Sequence, residues 1–292
     1  MQRRRWLLSA ALLLALIFCL WHLPAVIGGI WDGMTVCAVS VLPALFFFAV
    51  AADLTVSLTG GSLFPLPPKM SVLLLGAVCG FPTGAIVCER MCESGALTRR
   101  DAARLLPFVN NASPAFLLGA VGNLFGDRRI GVLLFLSQFA AASIFCLPIR
   151  VRRKTASADT ASQTASAVFF RAVDRGVGSM LRVTALICLF SALLAVCRSY
   201  IPSRSAFAAL AAALEIGNCT ARSAELFPYA PCAAITLCAF GCGWSGVCVH
   251  AQILSVLKSV KVKYTHFLLG KAGLGALTAF FAFCGCKFLL GY

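Results

Sequence analysis

Two short polar stretches, each marked by glycine, interrupt apolar runs that would otherwise suit a bilayer, and they resemble each other. One is Cys79-Gly80-Phe81-Pro82-Thr83-Gly84-Ala85; the other is Cys242-Gly243-Trp244-Ser245-Gly246-Val247. Backbone stripped of its helical hydrogen bonds is tolerated at membrane depth only where protein or a watery cavity surrounds it. Paired broken segments in two halves of a chain are the best sequence pointer to a binding site of transporter type. The surrounding composition requires a membrane. Of 292 residues, 60% are hydrophobic and 12% charged, about half the charged fraction of a soluble domain.

The net charge of +15 does not point to nucleic acid, because the basic residues fall between apolar runs, at Arg3 to Arg5, Arg150 to Lys154 and Lys258 to Lys263. That is the distribution of cytoplasmic loops. Arg3 to Arg5 followed by Leu7 to Leu20 has the form of a secretory signal, but His22, Leu23 and Pro24 offer no small-residue cleavage site, so an uncleaved first span is expected. The 15 cysteines include no CxxC pair and lie mostly inside apolar runs, where they act as small hydrophobes. There is no HExxH, GxSxG or GxxxxGK[ST] motif and no acidic pair with metal-ligand spacing. No enzyme, metal or cofactor is expected.

Spans are expected near 6–27, 30–54, 71–88, 105–125, 130–149, 177–198, 229–250 and 265–290. The fold class is an all-α polytopic membrane protein with about seven or eight transmembrane helices, including broken or re-entrant segments, in two inverted repeats. The domains would be an anchor at 1–29, a first repeat at 30–149, a basic cytoplasmic linker at 150–170 and a second repeat at 171–292. Residues 55–70, with Gly60, Gly61, Pro65, Pro67 and Pro68, read as a turn-rich connection, and 89–104 as a short amphipathic helix. Five full spans before residue 150 would put Arg150 to Lys154 on the wrong side of the membrane. One segment of the first half therefore fails to cross, with 71–88 and 105–125 as the candidates. In the second half, 205–216 is the dipping element.

The densest polar cluster inside an apolar run is Asn110-Asn111-Ala112-Ser113-Pro114. Pro114 would free a carbonyl one turn earlier, and the Asn and Ser side chains could satisfy that backbone or bind a polar solute. A proline-kinked helix with interhelical hydrogen bonds is the competing reading. Glu215 ends the run Ala206 to Leu214 and is followed by Gly217, Asn218 and Thr220. A carboxylate there is either a functional group by default or an interfacial charge. Gly80 to Glu89 and Gly243 to Gln252 each span nine residues, which supports a repeat. His250 could exchange a proton near neutral pH or simply pack. Gly76, Gly80 and Gly84 recur every fourth residue as a close-packing face, and Gly270, Gly273 and Gly275 read as packing positions. The candidate solute-binding residues are Thr83, Asn110, Asn111, Ser113, Glu215, Asn218, Ser245, His250 and Gln252. The helix breaks are Gly80, Pro82, Gly84, Pro114, Gly243 and Gly246.

GFPTGA, the stretch FVNNASPAFLLGAVG, LEIGN at Leu214 to Asn218, and GWSGVCVHAQILS from Gly243 to Ser255 together resemble the nucleoside-recognition (Gate) domain family, of the YlbJ-like sporulation type. The resemblance extends over both halves. Its motif positions are Gly80, Pro82, Gly84, Asn110, Asn111, Ser113, Pro114, Glu215, Gly217, Ser245, Gly246, His250 and Gln252. It implies a multi-pass protein of the bacterial inner membrane that serves spore formation. The function it implies is a permease or gate for a small polar, nucleoside-like solute, with a non-transporting scaffold as the alternative. The partners expected are the lipid bilayer, that solute and, as an open alternative, further copies of the chain; nucleic acid is not among them. The cysteine content, and Cys219 and Thr220 after Asn218, depart from the family pattern and leave the solute unnamed.

Overall fold

The computed structural model describes residues 2–59, 63, 66–151 and 164–291. Gly60, Gly61 and Pro65 of the expected turn, most of the expected linker including Arg152, Arg153 and Lys154, and the side chains of Arg3 to Arg5 lie outside the described residues. All regular structure among the described residues is helical, as expected of an all-α polytopic membrane protein. Among the described residues, five helices are long and apolar enough to cross a bilayer: Leu23–Val41, Arg128–Cys146, Ala165–Arg198, Pro231–Val256 and Tyr264–Leu290. Shorter apolar helices, among them Ser9–Trp21, Leu45–Thr59 and Pro68–Cys79, accompany them. Large apolar side chains such as Leu14, Trp21, Phe47, Leu181 and Phe288 are exposed on the outside, as suits a surface solvated by lipid tails.

The chain begins with α1 (Gln2–Trp21) and α2 (Leu23–Val36), which runs through a π-helical turn (Cys37–Val41) into α3 (Leu42–Thr59). The break between the first two segments therefore falls at His22, not at residues 28–29. Pro24 sits in the first turn of α2, where a missing N–H is harmless. Gly29 and Gly33 lie inside that helix and bring its backbone onto Cys188, Ser191 and Ala192.

After α3 come α4 (Pro68–Cys79), α5 (Thr83–Glu93) and α6 (Arg99–Val109). The helix expected across 89–104 is instead two helix ends joined by a turn. Gly95 takes φ +75°, and the Thr98 hydroxyl accepts from the Asp101 amide to start α6. Beyond Asn110–Ser113 the chain resumes as a π-helix (Ala115–Val121), α7 (Gly122–Leu124) and α8 (Arg128–Cys146). The second half runs α9 (Ala165–Arg198), α10 (Arg204–Leu214), α11 (Ile216–Leu226), α12 (Pro231–Trp244), α13 (Gly246–Val256) and α14 (Tyr264–Gly285), closing on a π-helical turn (Cys286–Leu290). The part of the expected linker from Ala165 onward is thus already helical.

Two pairs of these helices double back. Gly76 of α4 and Gly84 of α5 face the same Val109 carbonyl, so closely that a Cβ on either would collide with it. The Gly76-Gly80-Gly84 pattern is therefore not one helix face, because Gly80 ends α4 at φ +79°. In the second half, Ala212 of α10 and Cys219 of α11 both flank Gly241, and one extended residue, Glu215, forms the turn between them. By contrast, α12 and α13 do not fold back on each other. The two stretches that look alike in sequence thus differ in kind: Gly80-Phe81-Pro82 is a hairpin tip, whereas Ser245 and Gly246 are left-handed residues within a spanning segment. Residues 105–125 likewise form a broken helix rather than a hairpin.

The hairpin mouths lie at opposite ends of α8. Lys69, at the start of α4, donates to the carbonyl of Leu147 at 2.6 Å, just past α8. Glu89, near the end of α5, accepts from the Ser259 amide at 2.6 Å and the Val260 amide at 3.3 Å. Burial alone would raise the Glu89 carboxyl, but these hydrogen bonds outweigh it and hold the group below the usual carboxylate range. Phe227, just past α11, packs edge-on against Phe125, just ahead of α8, with centroids 5.3 Å apart. Asp53 of α3 ties the first mouth further, pairing with Arg90 of α5 at 3.0 Å and Arg175 of α9 at 3.1 Å.

Gly84→Val should force the first hairpin off Val109, with a loss of about 1–3 kcal/mol read as a lower melting temperature in detergent. Gly28→Ala, at a position with nothing within 4 Å of a new Cβ, should leave melting unchanged.

Candidate functional site

Each hairpin tip rests on the helix break of its own half. Gly80 abuts Ser113, and the Asn110 Oδ1 accepts from the Ala85 amide at 2.9 Å. On the other side, Gly246 abuts the Leu214 carbonyl and the Glu215 amide, while the Trp244 Nε1 donates to the Ala213 carbonyl at 3.0 Å. The two breaks are then joined by two side chains from neighbouring helices. Lys271 of α14, fully buried, donates to the Asn110 carbonyl at 2.7 Å, the Ser245 Oγ at 2.9 Å and the Gly243 carbonyl at 3.5 Å. Its Nζ also lies 5.8 Å from the centroid of the Phe81 ring at the first tip. Gln138 of α8 donates through Nε2 to the Cys242 carbonyl at 2.7 Å, and its Oε1 accepts from the Ala112 amide at 3.1 Å.

Neither Lys271 nor Gln138 was among the residues singled out from sequence. Both carry a readable signal, a strongly polar side chain inside an apolar span, where each is expected to face a partner.

Between the two tips and the two breaks lies a narrow cavity of about 30 Å³, lined by Ser113, Glu215, Gly217 and Gln252 with Leu45, Phe81, Phe116, Val183, Ile187 and Val249 among its apolar walls. Of the residues expected to bind solute, Ser113, Glu215 and Gln252 reach this wall. The others serve elsewhere. Asn110 is consumed by the Ala85 amide and, through Nδ2, the Leu106 carbonyl at 2.9 Å. Asn111 donates to the Phe108 carbonyl at 3.0 Å; among the described residues its Oδ1, like the buried Thr83 hydroxyl, meets no hydrogen-bond partner. Ser245 belongs to the lysine junction. His250 meets the Trp244 carbonyl through Nε2 at 2.8 Å and is packed between the rings of Trp244 and Phe267.

Glu215 has two tasks. Its carboxylate accepts from the Gly217 and Asn218 amides at 2.8 and 2.7 Å, capping α11 where the helix dipole favours an anion. Asn218 adds a side-chain bond to it at 2.8 Å and reaches the Ser191 hydroxyl at 3.0 Å. Pro114 does not kink a running helix; it precedes the π-helix as its N-cap, where no helical bond is lost. Among the described residues, no group of three or more His, Cys, Asp or Glu side chains is placed to hold a metal ion.

The fold and this centre define a polytopic membrane protein whose two halves meet at a buried, cross-bonded polar junction. Within that class, a 64-residue segment is 36% identical to the sporulation integral membrane protein YlbJ of Bacillus subtilis (strain 168), covering 22% of this chain and 16% of that protein. No protein-family model matches the sequence, and no solved structure matches the chain. The nucleoside-recognition resemblance therefore rests on its motif residues.

Lys271→Met and Gln138→Leu should each leave a broken-helix carbonyl without its donor and lower stability by about 1–3 kcal/mol. Because both residues join the same two breaks, the double variant should depart from additivity, as measured by melting in detergent.

Proposed function

We propose that the protein is a gate or permease for a small polar solute, bound at the centre between two inverted halves. The observation that carries this reading is the cavity held between two hairpin tips and two helix breaks, with Ser113, Glu215 and Gln252 on its wall. The order of elements supports the inversion. Each half reads as a long helix, a hairpin, a broken helix and a long helix, and the two hairpins open towards opposite ends of α8. In this register the α4–α5 tip corresponds to Glu215, and Asn110–Pro114 to Ser245–Gly246, rather than one glycine-bearing stretch to the other. At about 30 Å³ the cavity holds little more than water, against about 300 Å³ or more for an ordinary ligand pocket. Loading a nucleoside-sized solute thus requires the tips to part, and the conformation described is the closed one.

A role in spore formation is part of the proposal, supported by the name of the partial relative and by the motif resemblance. Transport and scaffolding make different demands on Gln252, which is 3% exposed and whose side-chain amide donates to the Cys248 thiol at 3.4 Å. In reconstituted vesicles screened with nucleosides and metal ions, Gln252→Leu should cut uptake at least about tenfold, the loss of one good polar contact, with melting unchanged. A Gln252→Leu protein that inserts, melts normally and retains full uptake would sink the site. Sporulation supported in full by wild type and Gln252→Leu alike, with no uptake of any solute tested, would favour a scaffold.

A further inference from the structure

A second concave site lies away from the central cavity, on the face where α6 and α14 begin. Arg99, Arg100 and Arg104 from the first turns of α6, with Lys261, Lys263 and His266 from the loop and first turn of α14, line an open cavity of about 740 Å³. All six are exposed, and among the described residues none of the five Lys and Arg side chains forms an ion pair.

The nearby carboxylates are committed elsewhere. Glu89 holds the Ser259 and Val260 amides from beneath the loop, and Asp101 is buried and bonded to the Thr98 hydroxyl. The 22-residue α14 starts at Tyr264, behind Lys263, without a side-chain cap, so its first-turn amides have no side-chain acceptor. α6 points its N-terminal end at the same space. Five like charges and two positive helix ends around one concavity repel one another unless an anion sits among them.

We propose that this cavity is a binding site for a phosphate group. Phosphate suits it in charge and in geometry. Arginine forks take its oxygens in pairs, lysines add point charge, and an uncapped helix start offers free amides. The site lies at the end of a span, because α14 begins the apolar helix Tyr264–Leu290 there, and Tyr264 sits beside it, half-exposed as an interfacial ring often is. The phosphate is carried either on the headgroup of an acidic phospholipid or on a soluble phosphate compound. The loop that lines the cavity is the one Glu89 fastens to the first hairpin, so occupancy bears on that hairpin's mouth.

The test uses the full chain in a neutral detergent. Melting is followed with phosphatidylglycerol against phosphatidylcholine in mixed micelles, and with inorganic phosphate against chloride at equal ionic strength. A ligand that binds the folded state raises the melting temperature. The expected result is a rise with phosphatidylglycerol, with phosphate, or with both. The first alone assigns a lipid headgroup and the second alone a soluble ligand. In Arg100→Gln/Arg104→Gln/Lys263→Gln the apparent affinity should fall about fivefold per charge removed, while Arg128→Gln/Arg129→Gln, outside the cavity, should respond as wild type does. Should the triple variant not fold, Lys261→Gln alone carries the test with a fall of about fivefold. No selective rise in wild type, or an equal loss in the Arg128/Arg129 variant, overturns the site.

Discussion

A single ammonium holds the middle of this molecule together. Breaking a helix inside a membrane leaves carbonyls with no donor, and each such group in hydrocarbon costs several kcal/mol. The structure contains two such breaks side by side and gives both to Lys271, whose three N–H groups meet the Asn110 carbonyl, the Gly243 carbonyl and the Ser245 hydroxyl. Among the described residues no carboxylate pairs with it; carbonyl and hydroxyl oxygens and the Phe81 ring face its Nζ. Gln138 closes the same junction from the other side. The hairpin tips then have a firm seat: each is bonded to, or pressed against, the break of its own half.

The positions of the breaks and most of the spans were legible, because Gly80 and Gly246, at positive φ, and Pro82 and Pro114, without a backbone donor, punctuate apolar runs. What a break becomes was not legible. Gly80-Phe81-Pro82 and Gly243-Trp244-Ser245-Gly246 have similar local chemistry, yet one reverses the chain and the other lets it continue. The choice is made by distant partners, the Val109 carbonyl under Gly76 and Gly84 in the first case, and Leu274 and Gly275 against Gly243 in the second. Local sequence does not encode such contacts.

The same limit explains the site. Asn110 and Asn111 stood out because adjacent amides in an apolar run are rare, but much of their hydrogen-bonding capacity goes into repairing the broken helix they belong to. Polar glue and polar binding site share one composition, and only geometry separates them. Lys271 and Gln138 leave a fainter trace in the sequence, because neither belongs to a dense polar cluster. Glu215 kept both identities, as a cap for α11 and a wall of the cavity.

The Asp53 clamp makes the two faces unequal. At the first mouth one carboxylate grips arginines from α5 and α9 at once, Lys69 is fastened to the end of α8, and Glu89 fastens the loop ahead of α14. At the second mouth the ion pair that the structure provides, Arg222 with Glu225, joins two residues of the same helix and anchors α11 to nothing else. One hairpin is thus moored at its base by charged contacts and the other by ring contacts such as Phe125 with Phe227. Unmatched moorings of this kind make the α10–α11 base the one with fewer charged tethers to the rest of the molecule.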